Sequence, residues 1–316
     1  MKRKVGRSGL EVSPLCLGTN VFGWTADEAT SSSILDALVA AGFNFLDTAD
    51  VYSRWVPGHT GGESETIIGN WVKRTGKRDK LIIATKVGFE MGPDKKGLSK
   101  SYILRACEDS LRRLQSDYID LYQSHSEDPG TPIEETLEAY AQLVKQGKVR
   151  AIGASNYTAP RLAEALEVSE RRRYPRYESL QPLYNLYDRA EYETQLEPLC
   201  VEKGLGVIPY FSLASGFLTG KYRSESDLSK SPRGGRVKKY MDERGLRILR
   251  ALDEVAERQH ANPARVALAW LMARPSITAP IASATNLDQL NDLIEATRLR
   301  LDPASIEQLN EASACA

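Results

Sequence analysis

Eight short apolar runs recur along the chain, and almost every gap between them has room for one helix. This alternation limits the fold more than any other feature. The runs are LCLGT (15–19), FNFLD (43–47), LIIATK (81–86), YIDLYQSH (118–125), VRAIGAS (149–155), ESLQP (178–182), LGVIPYFSL (205–213) and ITAPIAS (277–283). Most are rich in Val, Ile, Leu and aromatic residues, which reads as strands of a parallel sheet covered on both faces. Amphipathic stretches near 27–41, 63–75, 99–115, 158–170, 193–203 and 286–298 supply helices, with an extra pair over 243–260 and 263–273. After the fourth run, Thr131 is placed as N-cap, Pro132 as N1 and Glu134 as N3, the pattern of a capping box. Ile133, Leu137, Tyr140, Ala141 and Val144 then share one face, and Gly147 stops the helix.

Repeated strand–helix units close into a (β/α)8 barrel or open into a doubly wound sheet. A doubly wound dinucleotide fold carries G-x-G-x-x-G directly after its first strand. LCLGTNVFG has no such loop, and Gly204-Leu205-Gly206 precedes a strand and lacks the third glycine. The expected fold is therefore α/β, a single (β/α)8 TIM barrel spanning 1–316 as one domain. An N-terminal β-hairpin over 5–13 and extra C-terminal helices complete it.

Charge and cysteine usage narrow the partners. The 42 Lys+Arg balance the 42 Asp+Glu, so the chain lacks the cationic excess of a nucleic-acid or anionic-membrane binder. Cys16, Cys107, Cys200 and Cys315 are scattered without a C-x-x-C pair, which fits free thiols in a reducing compartment. MKRKVGRSGLEVSPL has no apolar core of a signal peptide, and no run approaches the ~18 apolar residues of a membrane span. A cytoplasmic location without membrane insertion is expected. The sequence allows an oligomer without specifying one, and no His/Cys cluster has metal-ligand spacing.

In a (β/α)8 barrel, chemistry sits where strands end. The second run ends in Asp47 and continues to Tyr52, the third ends in Lys86, and the fourth in His125. Each residue alone has an ordinary structural explanation; their coincidence at successive strand ends does not. A phenol with a pKa near ~10 is a poor acid at neutral pH. A lysine cation beside Tyr52, itself held by Asp47, is expected to lower that value and make Tyr52 a proton donor. His125 would orient a carbonyl. A phenolic acid reduces nothing by itself, so a hydride carrier is implied.

The motifs FNFLDTADVYS, IIATKVG, YQSH, GASNY, LQPLYNL, VIPYFSLASGFLTGKY and PIASATNLDQL together resemble the aldo-keto reductase superfamily over nearly the whole chain. The SRWVPGHTGGESE insertion (53–65) is similar to its bacterial and potassium-channel β-subunit-like branches. The resemblance implies a barrel that binds NADP(H), with NADH as the second option, and reduces small aldehydes and ketones. Its tetrad falls on Asp47, Tyr52, Lys86 and His125. It places Ser155, Asn156 and Gln181 on the nicotinamide carboxamide and Tyr210 under the ring. Phe211, Ser212, Leu213, Ser215, Leu218, Gly220 and Lys221 would wrap the pyrophosphate, and Ser283, Thr285 and Gln289 the adenosine phosphate. Gly18, Thr19 and Asn20, where the first strand ends, join the cofactor set.

This chain departs from the pattern in its last motif. It has Ala282-Ser283-Ala284-Thr285 without the arginine many members carry, and Leu293 where they place an adenine-contacting asparagine. A 2′-phosphate still needs a cation, and Lys221, Arg223, Arg233 and Arg236 are the candidates. Trp24, Trp55, Tyr52 and His125 make up the expected substrate pocket, with His59, Tyr122 and Tyr184 near the rim. A second reading is an NADPH-binding regulatory subunit of a channel. The related channel subunits carry asparagine where this chain has His125, which favours turnover. A third is a glycosidase using Asp47 and Asp50, which lie on one short loop and not across a sugar from each other.

Overall fold

The computed structural model describes residues 2–230 and 234–315. A two-stranded antiparallel hairpin, β1 (Arg3–Lys4) and β2 (Glu11–Val12), precedes the barrel, so the hairpin begins slightly before the expected span. Eight parallel strands follow: β3 (Cys16–Gly18), β4 (Phe45–Asp47), β5 (Ile82–Val87), β6 (Ile119–Ser124), β7 (Val149–Ser155), β8 (Tyr177–Gln181), β9 (Gly206–Val207) and β10 (Ile281–Ala282). They pair in the order β10-β3-β4-β5-β6-β7-β8-β9. The ring closes through a parallel bridge between Val207 and Ile277 and a 2.9 Å bond from Ile281 N to Pro209 O. The chain is thus a (β/α)8 barrel.

The helices are α1 (Glu28–Ala40), α2 (Glu63–Thr75), α3 (Lys100–Leu114), α4 (Ile133–Lys145), α5 (Ala159–Arg172), α6 (Glu197–Lys203), α7 (Gly234–Val237), α8 (Glu243–Arg258), α9 (Pro263–Ala273), α10 (Leu287–Ala296) and α11 (Pro303–Ser313). Among the described residues, no helix is long and apolar enough to cross a membrane. The stretch expected as a helix from 193 opens with a π turn over Tyr192–Leu196. The start of α4 also differs from expectation. Pro132 is the N-cap and offers no side-chain acceptor, whereas the Thr131 hydroxyl donates to Asp128 Oδ2 at 2.7 Å. Asp128 takes that hydroxyl, so the capping box does not form.

Two apolar runs yield only two-residue strands, and proline explains both. Pro209 and Pro280 have no N–H to give to the ladder. Past Pro209 the backbone turns through left-handed conformations at Phe211, Ala214 and Ser215. That turn carries the chain over the barrel mouth.

Strand period sorts the barrel interior into layers. Cys16, Phe45, Ala84, Leu121 and Ala151 form the lower layer and pack against Val5, Leu10 and Val12, so the hairpin plugs the bottom. Two residues further along each strand stand Gly18, Asp47, Lys86, Gln123 and Gly153. The layer above the apolar floor is therefore polar, and it faces the C-terminal mouth.

Candidate active site

Lys86 is the centre of that polar layer. Its side chain has no exposure, and its Nζ donates to Asp47 Oδ1 at 2.6 Å, to Thr48 O at 2.8 Å and to Tyr52 Oη at 3.0 Å. Three partners satisfy the three donors of an ammonium group. The other Asp47 oxygen accepts from Gln181 Nε2 at 2.8 Å and from Gln123 Nε2 at 3.4 Å. Parallel pairing of Asp47 with Ala84, two residues before Lys86, fixes the reach between the two strand ends.

The electrostatics differ in one respect from the sequence expectation. Burial outweighs the attraction of Lys86, so the Tyr52 phenol is pushed up to about 12 and not lowered. Tyr52 therefore keeps its hydroxyl proton across the physiological range. Burial pulls the Lys86 ammonium down, but Asp47 and Tyr52 outweigh it and leave the group above its ordinary value. Burial, reinforced by the Lys86 charge, holds His125 well below the usual imidazole range, so the ring is neutral at pH 7. Its Nδ1 has no hydrogen-bond partner.

A cleft of about 860 Å³ opens above these groups. Gly18, Asn20, Trp24, Asp47, Tyr52, Trp55 and His125 line it, and so do Ser155, Asn156, Gln181 and Tyr210. Further along, Phe211, Ser212, Leu213, Ser215, Lys221, Ser283, Thr285 and Gln289 continue the wall. The cleft is of a size that holds an extended organic ligand. Asn156, at φ 53°, donates its amide to His125 O at 2.8 Å and accepts from Tyr210 Oη at 2.8 Å. Ser155 Oγ donates to Gln181 O at 2.9 Å, and Ser283 Oγ donates to Asn20 Oδ1 at 2.7 Å. Asn286 caps α10 by accepting from Gln289 N, while Gln289 Oε1 takes the N–H and hydroxyl of Thr285.

Several expected residues lie elsewhere. Thr19 is buried, its N–H and hydroxyl both donating to Asp47 O at 2.9 Å, and it supports the end of β4 from outside the cleft wall. Leu218 is fully buried in the outer core, and Gly220 closes a one-turn helix at φ 78°. Arg223 is held by both Asp253 oxygens, at 2.8 and 2.7 Å, and is not on the wall. Arg233 lies outside the described residues. Tyr122 and Tyr184 are not at the rim: both are fully buried, packed on Tyr140 and on Trp270 respectively. His59 lines a separate pocket of about 670 Å³, whose wall shares Trp24 with the main cleft. Asp50 is buried away from the cleft beside Glu65 and Arg113, and burial with the Glu65 charge raises its carboxyl well above the ordinary range. It forms no carboxylate pair with Asp47.

The structure also adds residues that the sequence did not point to. Phe89, three positions past Lys86, stacks on His125 with ring centroids 4.0 Å apart. Asn262 and Ala264 turn the N-terminal end of α9 toward the cleft and Asp292 joins that end of the wall, as does Arg236, one of the cations expected from the sequence. Asp292 Oδ1 accepts from Arg265 Nε and an Arg265 terminal nitrogen at 2.9 and 2.6 Å. The Asn262-Pro263 cap is legible as a helix start; which way that helix end faces is not. Among the described residues, no group of three or more His, Cys, Asp or Glu is placed to hold a metal ion.

A barrel whose strand ends gather a lysine, an aspartate, a tyrosine and a histidine under one long cleft defines a class of enzyme-like binding fold. Comparison with known proteins narrows it. The profile of the Aldo/keto reductase family matches residues 14–314, and the chain belongs to that family. It is 39% identical to the "Uncharacterized oxidoreductase YrpG" of Bacillus subtilis (strain 168), covering 97% of this chain and 94% of that protein. It is 33% identical to "Protein tas" of Escherichia coli (strain K12), covering 98% and 97% respectively. A third relative is the "Probable voltage-gated potassium channel subunit beta" of Arabidopsis thaliana, 32% identical with coverage of 93% and 90%. Membership and the oxidoreductase-named relatives support oxidoreductase activity.

Proposed function

We propose that this chain, as one folding unit over 1–316, is an NADP(H)-dependent reductase that converts small aldehydes or ketones to alcohols in the cytoplasm. The observation that carries the reading is Lys86 Nζ seated between Asp47 and Tyr52, at 2.6 and 3.0 Å, beneath the cleft. Bound in that cleft, the reduced nicotinamide supplies a hydride from C4. Ser155, Asn156 and Gln181 would hold its carboxamide, Tyr210 its ring face, and the wall from Phe211 to Lys221 its pyrophosphate. Thr285 and Gln289 at the start of α10 suit the adenosine end, where a helix N-terminus favours anions.

Tyr52 gives its hydroxyl proton to the carbonyl oxygen as negative charge develops there. Lys86 stays cationic throughout and steadies the tyrosinate left behind. Asp47 keeps the ammonium in place, and Gln181 steadies Asp47. His125, being neutral, hydrogen-bonds the carbonyl oxygen without adding a second cation beside Lys86. Lys221 and Arg236 are the cations of the cleft wall suited to a 2′-phosphate.

The test is oxidation of NADPH by the purified chain across a panel of aldehydes, keto-sugars and pyridoxal, repeated with NADH. Turnover of at least one carbonyl, faster with NADPH, is expected. Tight NADPH binding without turnover of any of them would favour the regulatory reading, which the channel-subunit relative keeps in view.

A further inference from the structure

Part of the cleft wall carries aromatic rings that neither the tetrad nor the cofactor positions use. In the ring of strands, β4, β5 and β6 lie across the barrel from β9. The chain leaving these three strands brings Trp55, Phe89 and His125 to the mouth beside Tyr52. Trp55 is edge-on to Tyr52 at 5.9 Å and to Trp24 at 5.7 Å. Phe89 lies nearly parallel to His125, 27° from it.

Trp55 and Phe89 are not core. Trp55 is 44% exposed and Phe89 40%. Of the five large hydrophobic side chains exposed among the described residues, Trp55, Phe89 and Phe211 line this one cleft. Apolar rings left in water and gathered at a concave mouth mark a surface that a ligand covers.

Charge selects among ligands. The cations of the wall, Lys221 and Arg236, come from the segment after β9, on the opposite arc. Lys86 is covered completely, and its donors are taken. Among the described residues, the wall contributed by the β3–β6 loops offers no exposed cation to a phosphate or carboxylate.

We propose that the site selects flat, uncharged aromatic aldehydes, with the ring in the slot walled by Trp24, Trp55 and Phe89 and the carbonyl oxygen at Tyr52 and His125. This rests on the carbonyl-reductase reading above. The carbonyl carbon takes a hydride from the reduced nicotinamide, which is thereby oxidised by two electrons. The C=O π pair becomes an O–H bond with the Tyr52 proton, a benzylic alcohol leaves, and water reprotonates the tyrosinate. Phe89 is the specificity-determining residue, since its inner face fixes His125 and its outer face meets the substrate ring.

The experiment compares kcat/KM for benzaldehyde, propanal and glyceraldehyde 3-phosphate in the wild type, Phe89→Ala and Trp55→Ala. Conjugation makes benzaldehyde intrinsically the less electrophilic of the two neutral aldehydes, so preference for it reports binding. We expect at least a tenfold preference for benzaldehyde over propanal, and no advantage for the phosphorylated aldehyde. Either substitution should cut the benzaldehyde-to-propanal ratio about tenfold, the scale of a lost aromatic contact with its buried area. Binding of benzamide, which is not reduced, gives a readout independent of turnover. It should exceed that of acetamide and fall in Phe89→Ala. Propanal turnover without an aromatic preference, or a preference for the phosphate, overturns this proposal alone. Failure to reduce any of the three overturns this proposal, and failure extending to every carbonyl of the wider panel overturns the reductase reading with it.

Discussion

Replacing Lys86 by Met tests the buried network through stability, independently of turnover. The side chains of Lys86 and Asp47 are 0% and 3% exposed, and methionine would leave the Asp47 carboxylate in the barrel without its cation. Breaking a buried ion pair on one side costs about 3–5 kcal/mol, because the remaining charge is uncompensated. Gln181 donates to Asp47 at 2.8 Å with or without the lysine, so the stranded carboxylate keeps one partner and the cost falls at the lower end of that range. A destabilisation of about 3 kcal/mol follows, read as a lower urea midpoint at unchanged slope at pH 7. Adding Asp47→Asn removes the stranded charge. The double variant should then be more stable than Lys86→Met alone, by at least about 1.5 kcal/mol. If the double variant loses the sum of the two single losses, the pair is not coupled and the reasoning fails.

Three further outcomes follow from the same structure. His125 is held neutral in the fold, whereas the unfolded chain takes up that proton as the pH falls through about 6.5. The His125 contribution is therefore present above that pH and lost below it, so His125→Gln should flatten the fall in urea midpoint between pH 7.5 and 5.5; parallel profiles would refute this. For Asp50 the sign is opposite, because its raised folded value makes its contribution largest in acid and smaller as the pH rises. Asp50→Asn should gain on the wild type as the pH is raised from 5 to 9, and a difference that stays constant would count against it. Arg223→Ala should leave NADPH affinity within about twofold, since Asp253 already holds the guanidinium, whereas Arg236→Ala should weaken NADPH about tenfold and NADH much less, consistent with loss of one charge-assisted contact. Equal losses for the two coenzymes would remove Arg236 from the 2′-phosphate.

Much of the fold was legible because strand period and helix period leave separate marks. The eight runs became eight barrel strands, and helices such as α2 over 63–75 and α9 over 263–273 fell where periodicity put them. The Asp47, Lys86 and His125 positions were legible too, since strand ends in a barrel converge by construction. What the sequence hid was competition among nearby groups. Asp128 takes the Thr131 hydroxyl that would have capped α4. Burial outweighs Lys86 at the Tyr52 phenol, a balance set by how much protein surrounds the ring. Tyr122 and Tyr184 look like rim residues by position but are packed among other aromatic rings. Phe89 gave no signal, because a lone phenylalanine in a loop acquires meaning only from the imidazole it stacks on.

The central claim is that Tyr52 is the proton donor of a carbonyl reductase, and Tyr52→Phe tests it most directly. NADPH oxidation with a reducible aldehyde, measured alongside an NADPH binding titration, should show the rate falling at least about a hundredfold while the affinity stays within about threefold. A phenylalanine variant that still turns over within tenfold of the wild type would contradict the account.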